Sequence, residues 1–180
     1  YLAGGSCQNT LRVLQWLIPV PEIAVFFGCV GKDKYADILE NKARQDGVDV
    51  RYQVTDKEAT GTCAVLISDK HRSLCANLAA ANCFTDGHIR DPVNVQIINN
   101  AKFFYVSGFF LTVNESVAKE VAVAAQELEA PFAMNLSAPF ICGYFRNRLL
   151  NLMPHITLLF GNEQEALTLA TEEKFGTENM

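Results

Sequence analysis

Four largely apolar runs of strand length, each followed by helix signals, constrain this chain more than any other feature. Ala24 to Val30 is continuously apolar, as a strand buried on both faces must be. Asp33 then caps a helix with Tyr35, Ile38, Leu39 and Ala43 inward, and Gly47 ends it. Phe103 to Val106 leads to a helix capped by Asn114, with Val117, Val121, Ala124 and Leu128 on one face. Pro131 to Leu136 leads to a helix after Pro139 with Leu149 and Leu150 inward, and Ile156 to Phe160 leads to a helix from Asn162. Ahead of them all, Leu11, Val13, Leu14, Leu17 and Ile18 predict an amphipathic helix over residues 8–18, stopped by Pro19 and Pro21.

Strand–helix alternation of this kind predicts an α/β fold with a mainly parallel sheet and helices on both faces. Ligands of such sheets bind beyond the carboxyl ends of the strands. The loops at those ends, Gly108 to Phe110, Asn135 to Phe140 and Gly161 to Glu165, are therefore expected on one rim. The segment 48–78 breaks the alternation. Val50–Val54, Thr62–Ile67 and Ser73–Ala76 read as short strands with no helix between them, and Asp69-Lys70-His71 makes a polar turn. This predicts a small antiparallel β lid over residues 48–78, with residues 1–47 and 79–180 forming the core α/β domain.

The 180 residues suffice for one sizeable core, and Tyr1 stands in what reads as a strand-to-loop junction rather than a natural start. A net charge of −5 with no basic stripe argues against nucleic acid as a partner. No apolar run reaches the length of a membrane helix. The six cysteines show no C-x-x-C pair and no zinc-ligand spacing, and read as free buried thiols of a reducing compartment. His71, His88 and His155 are widely separated and read as surface residues. No Walker loop, G-x-G-x-x-G or Ser-His-Asp pattern is present, which argues against P-loop kinases, classical dinucleotide enzymes and hydrolases.

The polar motifs that remain lie at helix starts and strand ends. Gly4-Gly5-Ser6-Cys7-Gln8-Asn9-Thr10 lets the backbone approach a ligand closely and feeds a helix N-terminus, with Ser6 and Asn9 suited to hydroxyls. Asn162 and Glu165 have the spacing of a capping box, and equally of a carboxylate that orients water on Mg²⁺. Phe109 and Phe140, just past strand ends, suit either stacking on a nucleobase or local packing. Arg72, after the lid turn, suits a transferring phosphate or plain solvent.

These motifs, in order, resemble one family. Gly4-Gly5-Ser6-Cys7-Gln8-Asn9 is similar to the first signature of the ribokinase-like sugar kinases. Thr60 to Ala64, Arg72 to Leu74, Ala76 to Asn82, Gly108 to Thr112, Asn135 to Phe140 and Phe160 to Glu163 resemble the eukaryotic adenosine kinases within that superfamily, over essentially the whole chain. The resemblance implies transfer of the γ-phosphate of ATP to the 5′-hydroxyl of adenosine, giving AMP in purine salvage. It implies ribose hydroxyls held by Gly4, Gly5, Ser6 and Asn9, and adenine in an apolar slot of Cys63, Leu74, Ala76, Leu78, Phe109 and Phe140. Arg72 would steady the moving phosphate, and Asn162 and Glu165 would organise Mg²⁺ and phosphate through water. Adenosine and ATP are the implied partners, with a monomer when complete and a cytoplasmic location, the nucleus left open.

One family element is absent. The catalytic base of these kinases is an aspartate in a Gly-Ala-Gly-Asp run, and this sequence contains no such run. The 180 residues alone are expected to be inactive, as an interior stretch of a longer kinase. A ribokinase or fructokinase relative is the rival enzyme, and a catalytically inactive nucleoside-binding module the rival of another class.

Overall fold

In a computed structural model, which describes residues 2–174, helices and strands alternate as expected. The chain divides into two compact units, Tyr1–Phe84 and Thr85–Met180.

The first unit runs α1 (Ser6–Leu17), β1 (Val25–Gly31), α2 (Lys34–Gln45), β2 (Asp49–Thr55), β3 (Thr62–Ser68) and β4 (His71–Asn77). β1 and β2 pair in parallel, from Val25↔Asp49 to Gly31↔Thr55. This corrects the grouping of residues 50–54 with the antiparallel strands. α2 is the crossover helix that a parallel pair requires, so β2 belongs with β1 although no helix separates it from β3. Only β3 and β4 are antiparallel, from Thr62↔Asn77 to Ser68↔His71.

α2 starts where Asp33 predicts: its carboxylate accepts from Tyr35 N at 2.9 Å and Ala36 N at 3.0 Å. Gly47 follows the helix at φ 89°, a left-handed conformation that glycine adopts without strain. A small core gathers Ala43, Val48 and Val50, with Leu11, Phe26 and Tyr52 packed against it.

α1 corrects the sequence in a different way. Its buried residues are Gln8 and Gln15, whereas Val13, Leu17 and Ile18 are exposed. Gln15 faces inward because local backbone satisfies it: Nε2 donates to Val20 O at 2.7 Å and Oε1 accepts from Ala24 N at 3.0 Å. Gln8 Oε1 accepts from the Tyr52 hydroxyl. Two buried amides thus share the inner face with Leu11, Gln15 partnered at both ends and Gln8 at Oε1, while the buried Gln8 Nε2 has no partner among the described residues.

The second unit runs α3 (Asp86–Ile89), α4 (Pro92–Asn100), β5 (Phe104–Ser107), α5 (Glu115–Glu127), β6 (Phe132–Asn135), α6 (Pro139–Tyr144), α7 (Arg146–Leu152), β7 (Leu158–Phe160) and α8 (Glu163–Glu172). The strands form a parallel sheet in the order β5-β6-β7. Its core holds Leu111, Phe132, Met134, Ile141, Leu149 and Leu152. α5 buries Val117, Ala118, Ala122 and Ala125 rather than the expected Leu128, which is exposed. Small residues on that face let the helix approach its neighbours closely. No helix among the described residues is long and apolar enough to cross a membrane.

Candidate functional site

The glycine loop is built by backbone geometry. Gly5 sits at φ 100°, ψ 127° as the N-cap of α1, and no side-chain hydrogen bond caps the helix there. A side chain at Gly5 would be strained. Gly4, Gly5, Ser6 and Asn9 are all exposed. Asn9 is held in place: its Oδ1 accepts from Arg12 Nη1 at 3.0 Å.

The hairpin carries a second group. Antiparallel register pairs Cys63 with Ala76, Val65 with Leu74 and Ile67 with Arg72, so these six side chains share one face. Four of them, Cys63, Leu74, Ala76 and Arg72, are residues the resemblance singles out. The face is an apolar strip ending in a guanidinium. Every residue of β3 and β4 is exposed, and Leu78 just beyond is 41% exposed. Cys63 and Cys75 are thus exposed, not buried as expected, while Cys29 and Cys142 are buried and none of the six is paired. Burial pushes the Cys29 thiol up to about 11, with neighbouring Cys83 adding to the shift.

The hairpin is tied to the α/β part of its unit through one aspartate. The second oxygen of Asp33 accepts from Thr60 N at 2.7 Å, and Thr60 Oγ1 accepts from Gly31 N at 3.0 Å. The hydrogen bonds that Asp33 accepts, that from Thr60 N foremost, hold its carboxyl below its ordinary range. An open groove of about 460 Å³ lies beside it, between Lys32-Asp33 and Thr55 to Ala59, at the carboxyl ends of β1 and β2. Sequence reading did not find this groove, because nothing but the strand ends marks it.

In the second unit the rim forms as expected. Ser107 is in register with Asn135, and Asn135 with Phe160, so the three strands end level. Gly108 follows β5 where an added Cβ would lie 2.6 Å from Asn135 O and 2.7 Å from Leu136 O. Ser137 adopts φ 72°, and its hydroxyl lies 3.1 Å from that of Ser107. Phe109 and Phe140 come together with ring centroids 6.1 Å apart and remain 38% and 44% exposed. Phe145 packs edge-on against Phe140 at 6.4 Å. The aromatic pair therefore has both qualities considered for it: it packs, and it presents open ring surface.

Asn162 and Glu165 form a full capping box. Asn162 Oδ1 accepts from Glu165 N at 2.8 Å, and the Glu165 carboxylate accepts from Asn162 N and Nδ2, each at 3.1 Å. Glu165 is buried. Its two oxygens keep spare lone pairs beyond the two bonds. Among the described residues, no group of three or more His, Cys, Asp or Glu gathers as a metal cage.

The model of the pfkB family carbohydrate kinases matches residues 1–180. The chain belongs to this family. It is 40% identical over 180 residues to adenosine kinase 2 of Arabidopsis thaliana, covering 100% of this chain and 52% of the relative. It matches the crystal structure of Anopheles gambiae adenosine kinase in complex with P1,P4-di(adenosine-5) tetraphosphate at a TM-score of 0.97 and 52% identity, over 99% of this chain and 53% of that one. It also matches the adenosine kinase of Schistosoma mansoni in complex with adenosine in an occluded loop conformation, at a TM-score of 0.93 and 28% identity, over 97% and 51%. The chain thus spans about half the length of these pfkB relatives. Its fold is α/β with a small antiparallel sheet, as the pattern of the sequence predicts, and ribokinase-like, as the resemblance implies.

Proposed function

We propose that the full-length protein carrying this chain is an adenosine kinase. In the reaction, the adenosine 5′-oxygen attacks the γ-phosphorus of ATP, the bond from that phosphorus to the β–γ bridging oxygen breaks, and AMP and ADP result. The observation that carries the reading is the shared face of β3 and β4. Its strip of Cys63, Ala76, Val65 and Leu74 suits the flat apolar side of a purine, and Arg72 at its end suits a phosphate in transfer. The similarity to adenosine kinases supports the same substrate.

The remaining residues take roles by their chemistry. Gly4, Gly5, Ser6 and Asn9 offer backbone and side-chain groups to the ribose hydroxyls. Phe109 and Phe140 offer ring faces to a base. Leu78 extends the apolar surface past β4. The donor set of Asn162 and Glu165 fits a Mg²⁺ ion held through water and phosphate oxygens, since the carboxylate has acceptor capacity left. Such an ion would neutralise charge on the phosphates. The base for the 5′-hydroxyl proton is not among the 180 residues, which contain no Gly-Ala-Gly-Asp run.

The experiment is a direct assay of the full-length protein with radiolabelled ATP and magnesium against adenosine, ribose and fructose. AMP formation with adenosine preferred supports the proposal. Preference for either free sugar overturns the substrate, and saturable adenosine binding without turnover overturns the enzyme.

A further inference from the structure

Arg12 is not among the residues to which the family resemblance assigns a role, yet it holds one of them. From the second turn of α1 its Nη1 donates to Asn9 Oδ1 at 3.0 Å and to Ala3 O at 3.1 Å, the carbonyl just ahead of Gly4. Its Nε donates to Asp46 Oδ2 at 2.6 Å. Asp46 caps the end of α2 and is gripped on its other oxygen by Lys42 Nζ at 2.7 Å. Arg12 and Asp46 are both largely covered, with 22% and 24% of their side chains exposed. One guanidinium therefore ties the glycine loop and the Asn9 carboxamide to a carboxylate anchored on a different helix.

This has a chemical consequence. A guanidinium donates and never accepts, so it selects the oxygen end of the Asn9 amide. The amide NH₂ is left as the free end, and Asn9 Nδ2 has no hydrogen-bond partner among the described residues. Asn9 then meets a ligand as a donor, which suits the lone pairs of a sugar hydroxyl. Without Arg12 the amide rotates and offers oxygen and nitrogen alike.

We propose that Arg12, anchored by Asp46, is a positioning residue that fixes Asn9 as a hydrogen-bond donor and so sets recognition of the sugar hydroxyls. The inference rests on the proposed kinase reading. It deepens it by assigning the polarity of one contact and the residue responsible.

The test uses the full-length protein and compares wild type, Arg12→Ala, Arg12→Lys, Asp46→Asn and Lys42→Ala. KM and kcat are measured for adenosine, its 2′-deoxy and 3′-deoxy analogues, ribose, fructose and ATP. Arg12→Ala is expected to raise the KM for the accepted sugar or nucleoside about tenfold, the size of one lost charge-assisted hydrogen bond. The KM for ATP stays unchanged. Discrimination against whichever deoxy analogue lacks the hydroxyl read by Asn9 falls in the same variant. Arg12→Lys, which keeps a donor for Asn9 Oδ1, recovers most of the loss, and Asp46→Asn falls between. Lys42→Ala, which strips Asp46 of its other partner without touching Asn9, leaves the KM and the discrimination at wild-type values. The inference is overturned if Arg12→Ala leaves both unchanged, or if Lys42→Ala moves them as far. Failure of the kinase reading looks different. If wild type accepts ribose or fructose and not adenosine, the substrate proposal falls, while Arg12→Ala still must raise the KM for that sugar.

Discussion

Asp33 offers the sharpest stability test, because one carboxylate performs two separable tasks. One oxygen caps α2 through Tyr35 N and Ala36 N, and the other accepts from Thr60 N. Replacing a capping aspartate by alanine costs about 1 kcal/mol. Thr60 is buried, so its N–H also loses its partner away from water, at a cost of about 1–3 kcal/mol. Asp33→Ala should therefore lose about 2–4 kcal/mol in urea unfolding of the full-length protein, with an unchanged slope. Asp33→Asn keeps one acceptor oxygen, which serves the cap or Thr60 but not both, and should lose about half as much. The pH dependence follows from the direction of the shift. The folded carboxyl titrates below its ordinary value, so its contribution is fully present above about pH 4 and disappears as the pH falls through the folded value. Asp33→Asn should accordingly show a shallower acid-side decline than wild type. A loss below about 0.5 kcal/mol in Asp33→Ala, within the range of ordinary surface changes, would refute the double role.

Glu165 separates capping from chemistry: Glu165→Gln keeps a side chain that closes the box and should retain the melting temperature while kcat falls at least tenfold, whereas equal kcat in the variant leaves capping as its whole role. Gly108→Ala forces a Cβ within 2.7 Å of two backbone carbonyls and should lower the melting temperature by several degrees. A neutral result would mean the β5 end yields easily. Phe140→Ala should raise the KM for adenosine about tenfold or more if the open ring stacks on the base, and leave it unchanged if the ring only packs on Phe109 and Phe145. Amides of residues 62–77 should gain protection from hydrogen exchange on adding adenosine and not on adding ribose; equal protection by both would remove the purine from the hairpin face.

The sequence made legible those elements where one local signal decides. Asp33, Asn114 and Asn162 each sit at the N-cap they announce, and the level strand ends of β5, β6 and β7 follow from the apolar runs. α4 carries a pairing of local start signals, Asp91 capping it through Val93 N with Pro92 at its first position. The inner face of α1 was not legible. Periodicity weighs a glutamine as polar wherever it stands, and only the tertiary structure brings Val20 O, Ala24 N and the Tyr52 hydroxyl to meet Gln15 and Gln8. The same limit applies to Arg12. Its spacing from Asn9 is visible in the sequence, but its anchor Asp46 lies 34 residues away and is recruited by folding.

The hairpin shows why the proposed substrate should be a nucleoside rather than a bare sugar. An isolated two-stranded ribbon is marginally stable in water. This one exposes Val65, Leu66, Ile67 and Leu74 by half or more, and no neighbour among the described residues buries either strand. Its order must therefore come from elsewhere, and the elements that move around ligands are drawn from this low-stability end. A ligand that covers about 100 Å² of the strip with an apolar face would supply about 2.5 kcal/mol. That is enough to shift a ribbon near balance almost wholly to one arrangement. A purine has such a face. A free pentose or hexose presents mainly hydroxyls, and would leave Leu74 and Val65 in water while desolvating its own polar groups. If the proposed reading holds, the apolar strip beside Arg72 would make closing on the base and readying the phosphate a single event, a coupling that a simple sugar kinase would have to build differently.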